Sequence, residues 1–207
     1  MKKIKRILAV ILCMVLLQVP AATMTAPVTV QAATSCKLKT EKGKLYCYEN
    51  GKKVCNDWRT VGKYRYYFTK DGCAYKADSS MSSHNVVVKK IDKKYYGFDV
   101  KGRMVKGARI AINSSYIPTF YYFSKKTGAY DKTTTAKYRK AAKPYQNAAE
   151  LKKLLGKPVK TVVNKGTSCF MDGNGKDVQY IYEHFMVNVF RQNGSKKEII
   201  ESVMLRY

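Results

Sequence analysis

The residues that could carry out nucleophilic or acid–base chemistry are few in this sequence. It contains only two histidines, His84 and His184, which excludes a metal site built from several imidazoles. A serine-rich stretch precedes His84, but no strand–turn–helix context presents any of these serines as a nucleophile. Cys169 and His184 could form a thiol–imidazole pair, although no third group to orient the imidazole is evident. We therefore expect a binding protein without catalytic activity, cofactor or bound metal.

Positive charge is the strongest chemical signal in the sequence. Forty Lys and Arg residues outnumber 14 Asp and Glu residues, which gives a formal charge of +26 on 207 residues. Because carboxylates are so scarce, the excess cannot be neutralised within the chain, and an anionic partner is expected. A hydrophobic fraction of 45% and an aromatic fraction of 12% are enough for a folded core, so we expect a globular protein.

The first 33 residues have the pattern of a secretory signal peptide. A basic head precedes an apolar run, residues 7–19, that is shorter than the roughly 20 residues needed to span a bilayer. Small residues around Ala32 suit signal-peptidase cleavage. Removal of residues 1–33 takes the formal charge from +26 to +22, so the exported protein stays basic. A retained membrane anchor is the alternative.

Export permits disulfide bonds, and most of the cysteines that remain lie close together in the sequence. They are Cys36, Cys47, Cys55, Cys73 and, far from the others, Cys169. We expect one or two local bridges within residues 36–73 or, alternatively, small buried thiols; spacing alone does not give the connectivity. The intervals contain no close cysteine pair of the kind that begins a structural zinc site.

An aromatic cluster followed by a glycine recurs four times within residues 34–130. The copies are residues 45–51, 66–72, 95–102 and 121–128. Each copy is too short to enclose a core of its own. It predicts two short strands joined at the glycine, which supplies the positive φ of a tight turn. Stacking of successive hairpins would bury aromatic side chains between neighbours.

One of these units resembles the cell-wall-binding repeats of Gram-positive surface proteins, the choline-binding and glucan-binding type. Trp58 matches the leading tryptophan of that pattern, Gly62 the inner glycine, residues 66–68 the aromatic triplet and Gly72 the turn glycine. The other three units match only the triplet and the turn. In that family, aromatic side chains of successive hairpins enclose a choline cation or stack on sugar rings, so the resemblance implies a wall-binding, carbohydrate-binding repeat protein.

The resemblance and the local charge together give a set of candidate ligand contacts. They are Trp58, Tyr66, Tyr67, Tyr95, Tyr121, Lys63 and Arg65. Lys63 and Arg65 alternate with aromatic rings, a pattern that suits a phosphate polymer. Residues 34–130 carry a charge of +14 that would repel choline, so we expect an anionic wall polymer such as teichoic acid, or a wall glycan, with choline as a further alternative. The alternative is that the rings only form hairpin core.

The second half of the chain has a different pattern. Residues 131–146 predict a basic linker, and Asn147 can cap a helix that ends at Gly156. Alternating apolar positions then predict four or five strands, with a two-residue turn at residues 193–194 between the last two. Residues 147–207 are loosely similar to small domains of bacterial envelope proteins, the group of beta-lactamase-inhibitor-like and outer-membrane-assembly lipoprotein modules.

These patterns together predict a mostly β protein with a small α+β part, in which stacked β-hairpin repeats precede a helix packed on an antiparallel sheet. We expect a secreted, noncatalytic, cell-wall-associated protein of a Gram-positive bacterium. One alternative is that the C-terminal domain captures or inhibits another envelope protein. A second alternative is an extracellular nucleic-acid binder. Export disfavours a role on genomic DNA, because an exported protein is outside the cell.

Overall fold

The computed structural model describes residues 35–112, 117–164, 168 and 174–207. The predicted signal peptide, Cys169 and the strand predicted over residues 168–171 lie wholly or largely outside these ranges. Residues 34–207 form one compact unit. In the described ranges, no helix is both long enough and apolar enough to cross a membrane.

Short antiparallel strands make up most of the described chain, with two helices between the ninth and tenth strands. The elements of the first part are β1 (Lys37–Glu41), β2 (Lys44–Glu49), β3 (Lys52–Lys53), β4 (Asp57–Val61), β5 (Tyr64–Phe68), β6 (Val86–Ile91), β7 (Lys94–Asp99), β8 (Gly107–Ile112) and β9 (Pro118–Phe123). Those of the second part are α1 (Lys132–Ala141), α2 (Ala149–Leu155), β10 (Lys160–Val163), β11 (Gly175–Ile181), β12 (Phe185–Gln192) and β13 (Glu198–Leu205). The predicted fold class, mostly β with a small α+β part, is confirmed.

Four hairpin units follow one another in the first part, but the main turn of most units is not the predicted one. β4 and β5 join at residues 62–63, and β6 and β7 join at residues 92–93, both ahead of the predicted glycine. Gly72 and Gly102, with φ near +76° and +77°, instead form a second turn, after the second strand of their hairpins. Beyond each of these turns, a single residue pairs with the end of that second strand. In the first unit, residues 50–51 join β2 and β3 as predicted.

Aromatic side chains fill the space between successive hairpins, as stacking of the units predicts. Side chains alternate across β5, so Tyr66 and Phe68 pack against the first unit while Tyr67 packs against the third. Phe123 forms the centre of the next small cluster, between the third and fourth units. The aromatic cluster of the third unit is interrupted by Gly97. A Cβ at this position would lie 2.6 Å from the Phe123 ring, so there is room only for glycine.

One of the expected local disulfides is present. Cys36 is bonded to Cys47, with the two Cα atoms 5.6 Å apart. Cys55 and Cys73 are unpaired among the described cysteines, and the Cys73 sulfur lies 3.2 Å from the hydroxyl oxygen of Thr69. β1 is an edge strand that pairs with β2. The disulfide links the residue just before β1 to β2 and so fixes this edge covalently.

A helix that the sequence analysis did not predict lies within the segment assigned to a linker. The Asp131 side chain caps α1 by accepting a hydrogen bond from the Thr134 amide at 2.8 Å. Tyr138 and Thr135 are buried on one face of the helix, and the Thr135 hydroxyl accepts a hydrogen bond from the Tyr122 amide at 2.9 Å. Few apolar side chains mark this face, which is why the helical period is hidden in the sequence.

The C-terminal part is a helix packed on a four-stranded antiparallel sheet of order β10-β11-β12-β13. Gly156, at φ +74°, ends α2, as predicted. The N-cap of α2 is Ala148, one residue after the predicted Asn147, and it makes no side-chain capping hydrogen bond; the Asn147 side chain accepts a hydrogen bond from the Ala149 amide at 2.8 Å. The turn predicted at residues 193–194 is present, where the Ser195 amide donates to the Gln192 carbonyl at 3.2 Å and Gly194 has a φ of +70°, but three further residues separate it from β13. The reason is the register, in which Arg191 pairs with Glu198.

The fourth hairpin and the C-terminal sheet share one apolar core. Ile110 and Phe120 of the hairpin pack in the same cluster as Leu151 of α2 and Val187 of β12. The Phe120 ring meets the Phe185 ring edge-on, with centroids 5.2 Å apart. The repeats and the C-terminal domain are therefore joined by packing as well as by the chain, and the space where they meet contains the candidate site.

Candidate functional site: a basic cleft

A cleft of about 930 Å3 lies where the second, third and fourth hairpin units meet the turn between β11 and β12. Its described lining is strongly basic. The cationic residues are Lys63, Arg65, Lys101, Arg103, Lys106, Arg109 and Lys126, against the two carboxylates of Asp99 and Glu183. The rings of Tyr64 and Tyr96 and the imidazoles of His84 and His184 also line the cleft.

Backbone pairing explains why cations from separate units converge on this cleft. Lys63 lies at the tight turn between β4 and β5, and Arg65 follows on β5. After the turn at Gly102, the chain of the third unit runs along β5, where the Met104 amide donates to the Arg65 carbonyl at 2.7 Å. That contact brings Arg103 next to the second unit. Repetition of this arrangement along the stack makes a basic surface out of residues that are distant in sequence.

Arg109 is the most enclosed cation of the cleft. Its Nη1 donates to the Ala108 carbonyl at 2.9 Å, and no carboxylate of the described chain lies at ion-pair distance from it. Burial lowers the pKa of Arg109 to about 10, so the guanidinium is still charged at neutral pH. The guanidinium is partly buried, and Glu183 offsets only part of the cost of burying its charge. An anion bound in the cleft would reduce this cost further.

The other two guanidinium groups of the cleft differ in their partners. Arg103 is neutralised by Asp99, whose Oδ2 lies 2.6 Å from Nε, and it also lies over the Tyr64 ring, 4.5 Å from the centroid. Arg65 lies over the Trp58 ring, 4.2 Å from the centroid, and forms no ion pair within the described ranges. Arg65 and Arg109 are therefore the cleft guanidiniums with positive charge left for a ligand.

The two histidines meet at the end of the cleft formed by the C-terminal domain. The Nδ1 atoms of His84 and His184 lie 3.4 Å apart. Burial lowers the pKa of His84, and the nearby charge of Arg206 lowers it further. Burial and the charge of Arg109 lower the pKa of His184 to about 4. Both imidazoles are therefore neutral at pH 7, when they can share one N–H donor between them.

The candidate contacts named from the sequence fall into separate environments. Lys63 and Arg65 line the cleft, and Trp58 lies beneath Arg65. Tyr66 and Tyr67 are 6% and 8% exposed and belong to the cores between hairpins.

The two tyrosines named from the later units lie apart from the cleft lining. Tyr95 is 47% exposed, and Tyr121 is half-buried with the Arg139 guanidinium 4.7 Å from its ring centroid. The ligand roles of these tyrosines stay predictions. Sequence reasoning missed Arg103, Arg109 and both histidines as site residues, because their only shared signal is position in the stacked structure.

A second polar cluster lies in the C-terminal sheet, away from the cleft. Lys152, Arg191 and the Tyr180 hydroxyl surround the buried Glu198 at 2.7, 2.6 and 2.6 Å. All three bonds connect α2, β11 and β12 to β13, so this ion cluster fixes the C-terminal domain instead of presenting a charge to a ligand. Within the described ranges, no three His, Cys, Asp or Glu side chains come together as metal ligands.

Comparison with known proteins gives structural similarities alone. No family model and no curated protein matches the chain. Solved structures similar to it include truncated alternansucrase from Leuconostoc mesenteroides, at 17% identity and a TM-score of 0.35 over 76% of this chain and 11% of that one. A second similar structure is the pneumococcal cell-wall endolysin from phage Cp-1, solved with choline. Its sequence identity is 16% and its TM-score 0.36, over 80% of this chain and 35% of that one.

A third similar structure is choline binding protein F from Streptococcus pneumoniae, at 22% identity and a TM-score of 0.28 over 48% of this chain and 35% of that one. This chain thus spans between about a tenth and a little over a third of these three proteins. The resemblance of residues 147–207 to envelope-protein domains stays a prediction. At these TM-scores and identities the similarities support no conclusion about function, which has to come from the cleft.

Proposed function

We propose that this protein is a secreted, noncatalytic, cell-wall-associated protein that binds an anionic wall polymer, teichoic acid, in the basic cleft. The observation that carries the proposal is the cleft charge that the chain does not neutralise. Seven Lys and Arg side chains line the described cleft against two carboxylates, and neither Arg65 nor Arg109 forms an ion pair within the described chain. The expected signal peptide supports export to the wall.

The chemistry of a phosphodiester polymer fits this arrangement. Each repeat unit carries one negative charge and oxygen acceptors, which guanidinium groups bind through paired N–H donors. A cavity of about 930 Å3 is at the upper end of the roughly 300–1,000 Å3 usual for ligand sites, so it has room for a chain segment. An uncharged wall glycan could bind through hydroxyl groups, but it would leave the partly buried guanidinium of Arg109 without an ion-pair partner.

Fractionated cell walls test this proposal. Purified residues 34–207 are incubated with intact Gram-positive sacculi, with sacculi stripped of teichoic acid by hydrogen fluoride, and with intact sacculi treated with nuclease. We expect the protein to sediment with intact and nuclease-treated walls and to stay soluble with stripped walls. Equal sedimentation with stripped walls would contradict the teichoic acid assignment in favour of glycan. Loss on nuclease treatment would contradict it in favour of nucleic acid.

The same incubations test the noncatalytic part of the proposal. The supernatants are assayed for released reducing sugars, phosphate and peptides over several hours. We expect the wall material to remain unchanged, because the part of the cleft lining that the structure describes presents mainly cations and a neutral imidazole pair. Release above the level of a heat-denatured sample of the same protein would show an enzyme and contradict this part.

A further inference from the structure

The geometry around the single tryptophan concerns the specificity of the cleft. Trp58 on β4 is paired with Tyr67 on β5, and Arg65 lies two residues before Tyr67 on the same face of the hairpin. This diagonal relation across two strands places long side chains within reach of a ring. The Arg65 guanidinium accordingly lies over the Trp58 ring, 4.2 Å from the centroid.

Aromatic rings occupy much of the remaining surface of Trp58. The Phe98 ring stacks on it at 5.9 Å, with 29° between the planes. Tyr67 and Tyr96 approach it edge-on, with centroids 5.2 and 4.9 Å away. A cluster of this composition attracts cations through the negative faces of its rings. Here a cation is already in place, and it belongs to the protein.

The same pairing recurs along the stack of hairpins. Lys53 lies 4.0 Å from the Tyr46 ring centroid, Arg103 lies 4.5 Å from that of Tyr64, and Arg139 lies 4.7 Å from that of Tyr121. Each of these three cations has another charged or carbonyl partner: Lys53 has Glu41, Arg103 has Asp99, and Arg139 donates to the Phe120 carbonyl. Arg65 combines a ring beneath it, a place in the cleft and no ion pair within the described ranges. Lys63 also lines the cleft without an ion pair, but it lies farther from its ring, 5.4 Å from the Tyr64 centroid.

We propose that Arg65 sets the specificity of the cleft for anions, and that Trp58 acts as a positioning residue that holds Arg65 in place. Arg65 covers the ring face at which an external quaternary ammonium would bind, so the native protein does not bind such a cation there. A guanidinium stacked on a ring keeps its in-plane N–H donors available to phosphate oxygens. Because the ring restricts the rotamers of Arg65, less entropy is lost when an anion binds.

The anion half of this inference rests on the proposed function, whereas the exclusion of cations does not. Trp58 is the only tryptophan in the chain, so its fluorescence reports directly on this ring. The probes are choline chloride for the cation and poly(glycerol phosphate) for the anion. The proteins are the native chain, Arg65→Ser, and Lys63→Ser as a control that removes one cleft charge while leaving the ring covered.

Choline titration tests the exclusion of cations. We expect no saturable change of Trp58 fluorescence in the native protein or in Lys63→Ser, and a saturable change in Arg65→Ser, where the ring face is open. Thermal unfolding of each variant verifies that it is folded. Equal responses of the native protein and Arg65→Ser would overturn the proposal, because the face would then be open already. A folded Arg65→Ser without any response would overturn it as well, because Arg65 would then not be what closes the face.

Calorimetric titration with poly(glycerol phosphate) tests the positioning role of Trp58. We expect Trp58→Leu to weaken binding about threefold to tenfold, Trp58→Tyr to restore most of the affinity, and Trp58→Leu to have little further effect once Arg65 is Ser. If the affinity losses of Trp58→Leu and Arg65→Ser are additive in the double variant, the positioning role of Trp58 is contradicted. A folded Trp58→Tyr that does not recover affinity would contradict it as well. If the native protein fails to bind the polymer while Arg65→Ser gains choline binding, the proposed function is wrong and the exclusion of cations stands.

Discussion

His84 and His184, 100 residues apart in the chain, face each other with their Nδ1 atoms 3.4 Å apart. His84 belongs to the loop before β6, and His184 to the turn between β11 and β12. Neighbouring contacts reinforce this junction, since the Ser82 hydroxyl donates to the Arg206 carbonyl and the Arg206 amide lies 3.4 Å from the His184 carbonyl. The repeats and the end of the chain thus meet at the imidazole pair, and they enclose the cleft together.

The histidine pair predicts that the fold loses stability on mild acidification. An unfolded histidine titrates near 6.5, whereas burial and Arg109 lower the pKa of His184 to about 4 in the folded protein. Between these values the unfolded state binds more protons, so the free energy of unfolding falls as the pH falls from 6.5 to 4. After allowance for partial solvent access, we expect a loss on the order of 1 kcal/mol from this group. Urea unfolding at intervals between pH 7 and 4.5 measures it.

The variant His184→Gln isolates this contribution, because glutamine keeps a polar side chain that does not titrate. We expect its unfolding free energy to depend less steeply on pH than that of the native protein across the same interval. Parallel pH profiles for the two proteins would contradict the assignment to His184.

Arg109 predicts a trade between stability and binding. Its guanidinium has no carboxylate partner in the described chain, so Arg109→Met, which keeps the apolar stem, should stabilise the fold by about 1 kcal/mol. The same change should weaken binding to poly(glycerol phosphate) about tenfold, because a charge-assisted contact is lost. Arg103→Met is the matched control, since it removes a guanidinium paired with Asp99 and should lower stability. A loss of stability in both variants would contradict the account of Arg109.

Glu198 predicts a large effect on stability away from the cleft. Burial raises its pKa, but hydrogen bonds from Lys152, Tyr180 and Arg191 outweigh that effect and lower the pKa below its usual value. Glu198→Gln leaves these donors facing a neutral amide and should lower the unfolding free energy by about 2 to 3 kcal/mol at pH 7. The difference should shrink as the pH falls through the folded pKa, because the native carboxylate then gains a proton.

Chemical denaturation measures this difference, with Glu150→Gln as the control. Glu150 is exposed on α2, so its substitution should change the free energy of unfolding by less than about 0.5 kcal/mol. Similar losses in the two variants would mean that net charge matters and that the buried cluster around Glu198 does not.

Gly97 predicts a steric effect on the stack of hairpins. A Cβ at this position would lie 2.6 Å from the Phe123 ring and 2.7 Å from the Val105 side chain. Gly97→Ala should therefore destabilise the protein by about 2 to 3 kcal/mol through overpacking. Gly43→Ala is the comparison, because a Cβ there meets open space and only the φ of +75° is unfavourable, at about 1 kcal/mol. Equal melting temperatures of the two variants would contradict this close packing.

The hairpin architecture could be predicted because its signal is local. An aromatic cluster before each turn glycine identifies the units, and the alternating apolar positions around Val187 identify the C-terminal sheet. Details of connection could not be predicted in the same way. Residues 62–63 and Gly72 both suit a tight turn, and only the pairing of β4 with β5 determines which closes the hairpin.

The candidate site was predictable only in part, because it depends on packing between units. Lys63 and Arg65 were identified since they interrupt an aromatic cluster, and both line the cleft. Arg109 was not identified, because its importance comes from burial without a partner, which no pattern of neighbouring residues encodes. Tyr66 alternates with Tyr67 along β5, and both rings turn out to be buried because hairpins stack on both faces of the unit.

The equilibrium affinity for poly(glycerol phosphate), measured at several salt concentrations, tests the central claim most directly. The double variant Arg65→Gln, Arg109→Gln is compared with Lys176→Gln, Lys196→Gln, which removes the same charge from exposed positions outside the cleft lining. We predict that the first pair weakens binding at least about tenfold and reduces the salt dependence, while the second pair leaves both nearly unchanged. Equal losses from the two pairs would show that net charge binds the polymer anywhere on the surface, and would contradict a specific cleft.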